Sequence, residues 1–400
     1  MRKISYFIQK IKNFFHLLGA LVANIVYGFL STKIKVIGVT GTDGKTTTTN
    51  LIAHILKENG NKVSFISTVY AQVADKIYDI GLHVTTPSSF MIQKFLRQAV
   101  EHGDQYFVLE TTSHALDQNR VWGIKFEIGV LTNITHEHLD YHLTYENYAK
   151  TKLKLLKMAK VAVFNKDNQN ISIGKQELDY LIKSTKFKMV KNYTIERIIK
   201  KNFPNLERFN QYNFSAAYRV GKILGLTDEK IIKAMKKFKL PPGRLALVYD
   251  GDFKVIIDFA HTPYAFEFLL PEIRKKYLKK GRLIHVFGCA GLRDFTKRKI
   301  MGKMSNQYSD YIILTEEDYR TEDFEKICQQ IIEGIKDRPY EIIKDRQAAI
   351  NKAIEMAKKG DVVLTTGKAH EKSLCRGKTE YPWDEFEAVN KALMNISAKN

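Results

Sequence analysis

The chain has 400 residues, 44% of them hydrophobic and 11% aromatic, which excludes a disordered polymer and allows two or three domains, each with its own core. Its 64 Lys and Arg against 43 Asp and Glu leave a net charge of +21, but the lysines are scattered through helical stretches, as at Lys150, Lys152, Lys154 and Lys157, with no nucleic-acid-binding motif among them. The excess is read as solvated surface and help for anionic substrates, with no nucleic acid expected as a partner, and Cys289, Cys328 and Cys375 lie too far apart for a metal spacing or a disulfide framework, which fits a reducing cytoplasm.

Residues 14–30 form a mostly apolar run behind Arg2, Lys3, Lys10 and Lys12. The run is slightly short for a spanning helix and carries His16 and Asn24. It lacks a clear small-residue cleavage site, and a nucleotide-type loop follows almost at once, which argues against secretion. A helix packed on its own protein is the preferred expectation, with a monotopic membrane contact as the alternative.

Val36 to Thr40 read as a buried strand that enters Gly41-Thr42-Asp43-Gly44-Lys45-Thr46-Thr47-Thr48, with a helix expected over about 46–59. Backbone N–H groups and a helix start can cradle a polyphosphate there, with Lys45 on its outer phosphates and Thr46 on Mg²⁺. The strict eight-residue P-loop pattern is not met, because its first glycine would fall at Val39. The shorter form Gly-Thr-x-Gly-Lys-Thr-Thr remains, and ATP is the expected ligand.

From residue 34 to about 160, strands are expected at 35–39, 62–66, 106–110, 128–132 and 161–165, with helical segments between them. That rhythm predicts a doubly wound α/β domain with a mostly parallel sheet. Glu110 ends one strand and is placed to meet Mg²⁺ beside the phosphate loop, the alternative being a strand-end surface acid. His136, His138 and His142 follow another strand end, but their spacing does not match a zinc helix and no cysteine is near. A Mg²⁺ ligand or phosphate-side group among them is preferred. Residues 166–205 read as a lysine-rich insertion or small strands, and 210–239 as two helices.

Pro241-Pro242-Gly243 breaks the chain, so domains are expected at 1–32, 33–240 and 241–400. The α/β rhythm restarts, with strands at 255–258, 283–287, 311–314 and 362–365 and helices at 322–336 and 346–358. Arg244, Asp258, Arg293, the run Glu317-Asp318-Tyr319-Arg320 and the run Gly367-Lys368-Ala369-His370-Glu371 sit beside the break or at strand ends, where a ligand crevice would lie. Arginines there suit carboxylate or phosphate recognition.

In this order the motifs resemble the Mur ligase family, most closely its MurE-type members, over nearly the whole chain. The resemblance rests on Gly41 to Thr48, Thr85-Thr86-Pro87, Glu110 to Arg120, Thr132 to His142, Tyr148 to Lys152, Asp258 to Pro263 and Gly367 to Glu371. It implies a central P-loop-type ATPase domain and a C-terminal Rossmann-like domain. The chain departs at its start: about thirty residues precede the loop, and Tyr27, Gly28 and Ser31 resemble the exit of an otherwise missing uridine-diphosphate domain.

The resemblance assigns ATP to Gly41, Thr42, Asp43, Gly44, Lys45, Thr46, Thr47, Asn133, Asn210, Asn213, Arg244 and Asp258. It assigns Mg²⁺ to Thr46, Glu110, His138 and Lys152, the last as a carbamate. Lys45, Lys152, His138, Glu110 and Arg244 would form the catalytic set. Thr85, Thr86, Ser113 and Arg120 would hold a UDP-muramoyl-dipeptide or related acceptor, and Arg293, Asp318, Arg320, Gly367 and Glu371 the incoming amino acid. The implied reaction is ATP-dependent amide formation through an acyl phosphate in peptidoglycan precursor synthesis, with diaminopimelate as first choice. Lysine or ornithine competes, because Asp318 and Tyr319 replace asparagine and proline of the family's diaminopimelate loop. A folylpolyglutamate-type or amidating ligase and a non-catalytic nucleotide-binding scaffold are the rivals. A monomer is expected, cytoplasmic, with membrane association through residues 1–30 left open.

Overall fold

Strands covered on both faces lose the alternation of a half-exposed sheet, and the apolar runs of this chain are of that kind. Tyr106–Glu110 is buried at every position and Lys35–Thr40 at all but its first. The computed structural model describes residues 2–81, 84–135, 137–167 and 175–397. It separates into two units, one of Met1–Thr135 with Tyr141–Lys239, the other of His136–Asp140 with Leu240–Asn400.

The first unit opens with α1 (Arg2–Tyr27), β1 (Lys35–Thr40), α2 (Lys45–Glu58), β2 (Val63–Ile66), β3 (Ala71–Val73), β4 (Lys76–Tyr78) and α3 (Ser89–Glu101). It continues through β5 (Tyr106–Glu110), α4 (Ser113–Asp117), β6 (Phe126–Leu131), α5 (Leu139–His142), α6 (Tyr145–Met158) and β7 (Val161–Asn165), α5 beginning in the segment grouped with the second unit. It ends with α7 (Lys175–Ser184), β8 (Val190–Tyr193), α8 (Arg197–Asn202), α9 (Arg208–Ile223) and α10 (Asp228–Lys237). Its sheet runs β4-β3-β2-β5-β1-β6-β7-β8, parallel from β2 to β8. The doubly wound expectation holds. The antiparallel β3–β4 extension of one edge was not expected, because three-residue strands leave too short a period to read. β8 falls where small strands were an option.

Two apolar clusters line this sheet, one under α3 and α6 with Phe107, Leu109 and Phe126, the other under α2 and α9 with Ile37, Val39 and Val108. Alternate residues of the inner strands serve each cluster, which fixes the register of those strands. α1 packs by one face on this unit, as the preferred reading of the N-terminus had it: Asn13 donates to Asp117 at 2.6 Å and Asn24 to the Trp122 carbonyl at 2.8 Å. Among the described residues no helix is long and apolar enough to cross a membrane.

The second unit holds β9 (Ala246–Asp250), β10 (Lys254–Asp258), α11 (Pro263–Tyr277), β11 (Leu283–Phe287), α12 (Thr296–Tyr308), β12 (Tyr311–Leu314) and α13 (Phe324–Ile332). β13 (Tyr340–Ile342), α14 (Arg346–Glu355), β14 (Val362–Thr366), the hairpin β15 (Ser373–Arg376) and β16 (Thr379–Pro382), and α15 (Glu385–Ser397) complete it. The sheet order is β13-β12-β11-β14-β10-β9, parallel except for β9 at the edge. α13 is shorter than the expected 322–336: Asp323 caps its start through the Glu325 and Lys326 N–H groups, and it ends at Ile332, just before Gly334.

His285 lies wholly inside this unit, with its ring nitrogens against Ser305 and Thr366 hydroxyls at 2.9 and 3.0 Å. Burial, aided by the Arg346 charge, lowers its pKa to about 3 from 6.5. The folded state therefore stays neutral where the unfolded chain takes up a proton, so stability is lost as pH falls from 6.5 toward 3. Urea midpoints measured across that window should fall with acid, and His285→Gln should flatten the slope while lowering the plateau.

Candidate active site

In an open parallel sheet, ligands gather beyond the carboxyl ends of the strands where the order reverses. In the first unit that place lies around β1, flanked by β5 and β6. The loop leaving β1 turns through Gly41 at φ 151° and Gly44 at φ 80°. A Cβ on Gly41 would sit 1.8 Å from Thr132 Oγ1, and one on Gly44 would sit 2.2 Å from Asn213 Oδ1. Both positions therefore require glycine.

The loop is braced from β6. Thr42 N–H donates to the Asn133 carbonyl and Asp43 N–H to Asn133 Oδ1, both at 2.9 Å. Thr132 Oγ1 donates to the Asp43 carbonyl at 2.7 Å, and Thr135 N–H to Thr42 Oγ1 at 2.9 Å. Gly44 starts α2 without a side-chain cap, leaving a helix start of the kind that receives anions. Lys45 Nζ folds over the loop to donate to the Thr42 carbonyl at 2.7 Å. Thr47 is buried two residues further along α2. Asn213 lies behind Gly44, accepts from Thr48 Oγ1 at 3.4 Å and donates to Asn210 Oδ1 at 3.2 Å. Asn210 in turn donates to Glu207.

Glu110 is completely buried at the end of β5. Its carboxylate accepts from Thr46 Oγ1 at 3.1 Å, Thr68 Oγ1 at 2.7 Å and the Thr68 N–H at 2.8 Å. A hydroxyl and a carboxylate joined beside a phosphate-type loop form the hard-oxygen set that Mg²⁺ takes. The surface-acid alternative for Glu110 is therefore dropped. Thr68 was not singled out from sequence, although it follows the end of β2, the same kind of position that flagged Glu110.

The network continues outward. Thr68 Oγ1 and Thr85 Oγ1 are in hydrogen-bond contact at 3.2 Å, and Thr86 Oγ1 donates to the Glu110 carbonyl at 3.0 Å. Thr112 N–H donates back to Thr86 Oγ1, and Arg120 Nη1 donates to the Thr86 carbonyl at 2.7 Å. Thr112 caps α4, whose first residue is the buried Ser113. Thr85, Thr86, Ser113 and Arg120 are thus assembled on one side of Glu110.

Lys152 is 1% exposed on α6 and donates to the Gly41 carbonyl at 2.6 Å, with its ammonium 4.5 Å from the Tyr148 ring centre. It braces the other side of the loop. His138 lies in the short segment that groups with the second unit and takes a left-handed backbone, φ 57°. His136 lies outside the described residues.

In the second unit Asp258 accepts from the Leu245 and Ala260 N–H groups, both at 2.8 Å, which pins the turn that carries Arg244. The Arg244 guanidinium rests on the Phe259 ring at 4.7 Å. Beyond β12 and β14 the structure gathers a second group. Lys368, fully buried, donates to Asp318 Oδ1 at 2.9 Å and to Glu371 Oε2. Burial disfavours that ammonium, but Glu371 and Asp318 hold its pKa above the ordinary value. Arg320 donates to the Gly291 carbonyl at 2.9 Å, on the loop that carries the exposed Arg293. Gly367, at φ 101°, would place a Cβ 2.9 Å from Glu317 Oε2. Burial raises Glu317 to about 7 despite Lys297. Lys368 and Glu317 were quoted in motifs but not chosen, since their partners come from another strand end.

Lys297 was missed altogether. It is buried, pairs with Glu137 at 3.1 Å and donates to the His261 carbonyl at 2.9 Å, which ties the segment of His138 to α12. Its partners lie 160 and 36 positions away.

The Mur ligase middle domain matches residues 39–220, and the Mur ligase glutamate ligase domain matches 243–369. The chain is 38% identical, over 92% of its length and 79% of the relative's, to UDP-N-acetylmuramoyl-L-alanyl-D-glutamate–2,6-diaminopimelate ligase 1 of Clostridium acetobutylicum. It is 39% identical to the corresponding ligase of Aquifex aeolicus, over 93% of this chain and 80% of that one. A solved structure of a ligase of that name superposes with a TM-score of 0.55 at 27% identity, covering 91% of this chain and 79% of that chain. With its phosphate loop, its paired α/β units and these relatives, the chain belongs to the Mur ligase family, ATP-dependent ligases of peptidoglycan precursor synthesis that use Mg²⁺.

Proposed function

We propose that the chain joins a diamino acid, meso-diaminopimelate first, to the terminal carboxylate of UDP-N-acetylmuramoyl-L-alanyl-D-glutamate or a related acceptor, with ATP converted to ADP. The observation that carries this reading is the continuous network from Thr46 through Glu110 and Thr68 to Thr85, which joins a phosphate loop to an acceptor side. The acceptor carboxylate attacks the γ-phosphorus, ADP leaves, and the amine of the incoming residue displaces phosphate from the acyl phosphate.

Lys45 and Thr46 hold the phosphates, with Thr42, Asp43, Thr47 and Asn133 shaping the loop and Asn210 and Asn213 supporting the nucleotide side. Arg244 and Asp258 are assigned to the nucleotide as well. Mg²⁺, held by Thr46, Glu110, His138 and Lys152 as a carbamate, would supply charge neutralisation at the transferring group. Thr85, Thr86, Ser113 and Arg120 orient the acceptor.

The amino-acid side favours diaminopimelate on charge. Asp318 and Glu371 share the Lys368 ammonium, and Arg320 stands beside Asp318 at 3.9 Å. Two carboxylates balanced by two cations suit a distal end bearing both a carboxylate and an ammonium better than the lone ammonium of lysine or ornithine. ADP release measured with diaminopimelate, lysine and ornithine, each with UDP-linked and truncated acceptors, tests this. Diaminopimelate should turn over faster by roughly tenfold or more. A lysine preference would replace that choice, and ATP turnover indifferent to acceptor and amino acid would favour the scaffold.

For Lys152, a carbamate nitrogen keeps one hydrogen and can still donate to the Gly41 carbonyl. Lys152→Ala should lose activity and regain part of it with short-chain carboxylates. Labelled bicarbonate should give a carbamate resonance in the wild type and none in the variant. Undiminished activity in Lys152→Ala would remove the role.

The proposal also includes a peripheral membrane contact through residues 1–30, favoured by the outward face of α1.

A further inference from the structure

A helix on the surface of a globular domain normally turns its apolar stripe inward. α1 is reversed. Its inward face presents Asn13, Ala20, Ala23 and Asn24, all buried, and is fastened by polar bonds. Asn13 donates to Asp117, Gln93 donates to Asn24 Oδ1 at 3.1 Å, and Asn119 donates to the Asn13 carbonyl at 3.2 Å. Its outward face carries Phe14, Phe15, Leu18, Val22, Ile25 and Val26 at helical spacing, with Phe15 65% and Val26 67% exposed. Ile11 before them and Phe29 after them extend the stripe. A contiguous apolar strip of that length is rare on a surface that meets only water.

Charge identifies what covers it. α1 contains Arg2, Lys3, Lys10 and Lys12 and no acidic residue; Lys10 pairs with Asp117 at 3.0 Å, while Lys12, and Lys33 and Lys35 just beyond the helix, are exposed. Lys12 is exposed and lies about 100° around the helix from the line of Ile11 and Leu18, where a long side chain reaches headgroups while the stripe enters acyl chains. A second copy would set one cationic strip against another, whereas anionic headgroups offset the charge. α1 does not meet the apolarity needed to cross a bilayer.

We propose that α1 lies in the plane of an anionic phospholipid surface, its stripe from Ile11 to Phe29 inserted and its Asn13–Asn24 face still docked on the first unit. This rests on the membrane contact proposed above and adds its lipid class and orientation; the ligase assignment is independent of it.

Co-sedimentation of the full chain with phosphatidylglycerol-containing and pure phosphatidylcholine vesicles is the test. Binding is expected with the anionic vesicles, weaker by at least about tenfold with the neutral ones, and reduced by salt. Phe15→Glu and Val26→Glu should each release the protein from vesicles while leaving thermal stability and ADP release unchanged, because both side chains already face solvent. Met394→Glu, an equally exposed apolar site in the second unit, should bind like wild type. Equal binding to both vesicles would overturn the anionic preference while leaving a membrane contact. No binding to either, with light scattering that shows a dimer broken by Phe15→Glu, would overturn the membrane and assign the face to a second copy.

Discussion

Lys45→Ala is expected to abolish ADP release while the protein remains folded. The Lys45 ammonium lies over the phosphate loop and donates to the Thr42 carbonyl, and among the described residues it forms no ion pair that its removal would break. In phosphoryl transfer the protein acts mainly by position and by charge against the transferring group. Loss of one such group costs ~3 kcal/mol or more of transition-state stabilisation, about two orders of magnitude in rate. Steady-state ADP release with saturating acceptor and amino acid, beside a thermal melt, reads both quantities. Wild-type turnover in this variant would end the ATP-site assignment.

Glu385→Ala is expected to be the most damaging single change to stability in the second unit. Arg346 and Glu385 are both wholly buried, and the guanidinium donates to the carboxylate at 2.7 and 2.8 Å. Trp383 Nε1 also donates to Glu385 at 2.9 Å, and Arg346 reaches the Thr366 carbonyl at 2.8 Å. Burial opposes the carboxylate charge, but Arg346 holds its pKa below the ordinary value. Removing the acid leaves a buried cation uncompensated, at about 3–5 kcal/mol. That lowers the melting temperature by roughly 10 °C in a unit of this size. Replacing both residues by apolar ones of similar volume should recover a large part of the loss. A single variant within 1 °C of wild type (roughly a third of a kcal/mol) would show that the pair carries no such energy.

These two residues mark different degrees of legibility. Lys45 could be read because loop, lysine and helix start are consecutive in the chain. Glu110 could be suspected for the same reason, as the last residue of an apolar strand. That it is buried rather than a surface acid could not be read, because the hydroxyls of Thr46 and Thr68 reach it from α2 and from the loop after β2. Arg346 and Glu385 gave no signal. They lie 39 positions apart, and nothing beside either in the chain marks it as paired. Of the N-terminal run, apolarity was visible, but which face would turn outward was not. That was decided by Asn13 and Asn24, which take the inward side through bonds to Asp117 and Trp122.

The sequence by itself determined the two α/β rhythms, the polar residues at the strand ends, and the glycine-spaced loop, since each depends on neighbours a few residues apart. Only the tertiary structure decided which strand ends stand together, how Lys368 divides its charge between Asp318 and Glu371, and which buried ions are paired. Hydrophobic periodicity is local information. The cost of burying a charge is settled only by partners that the fold brings from far along the chain.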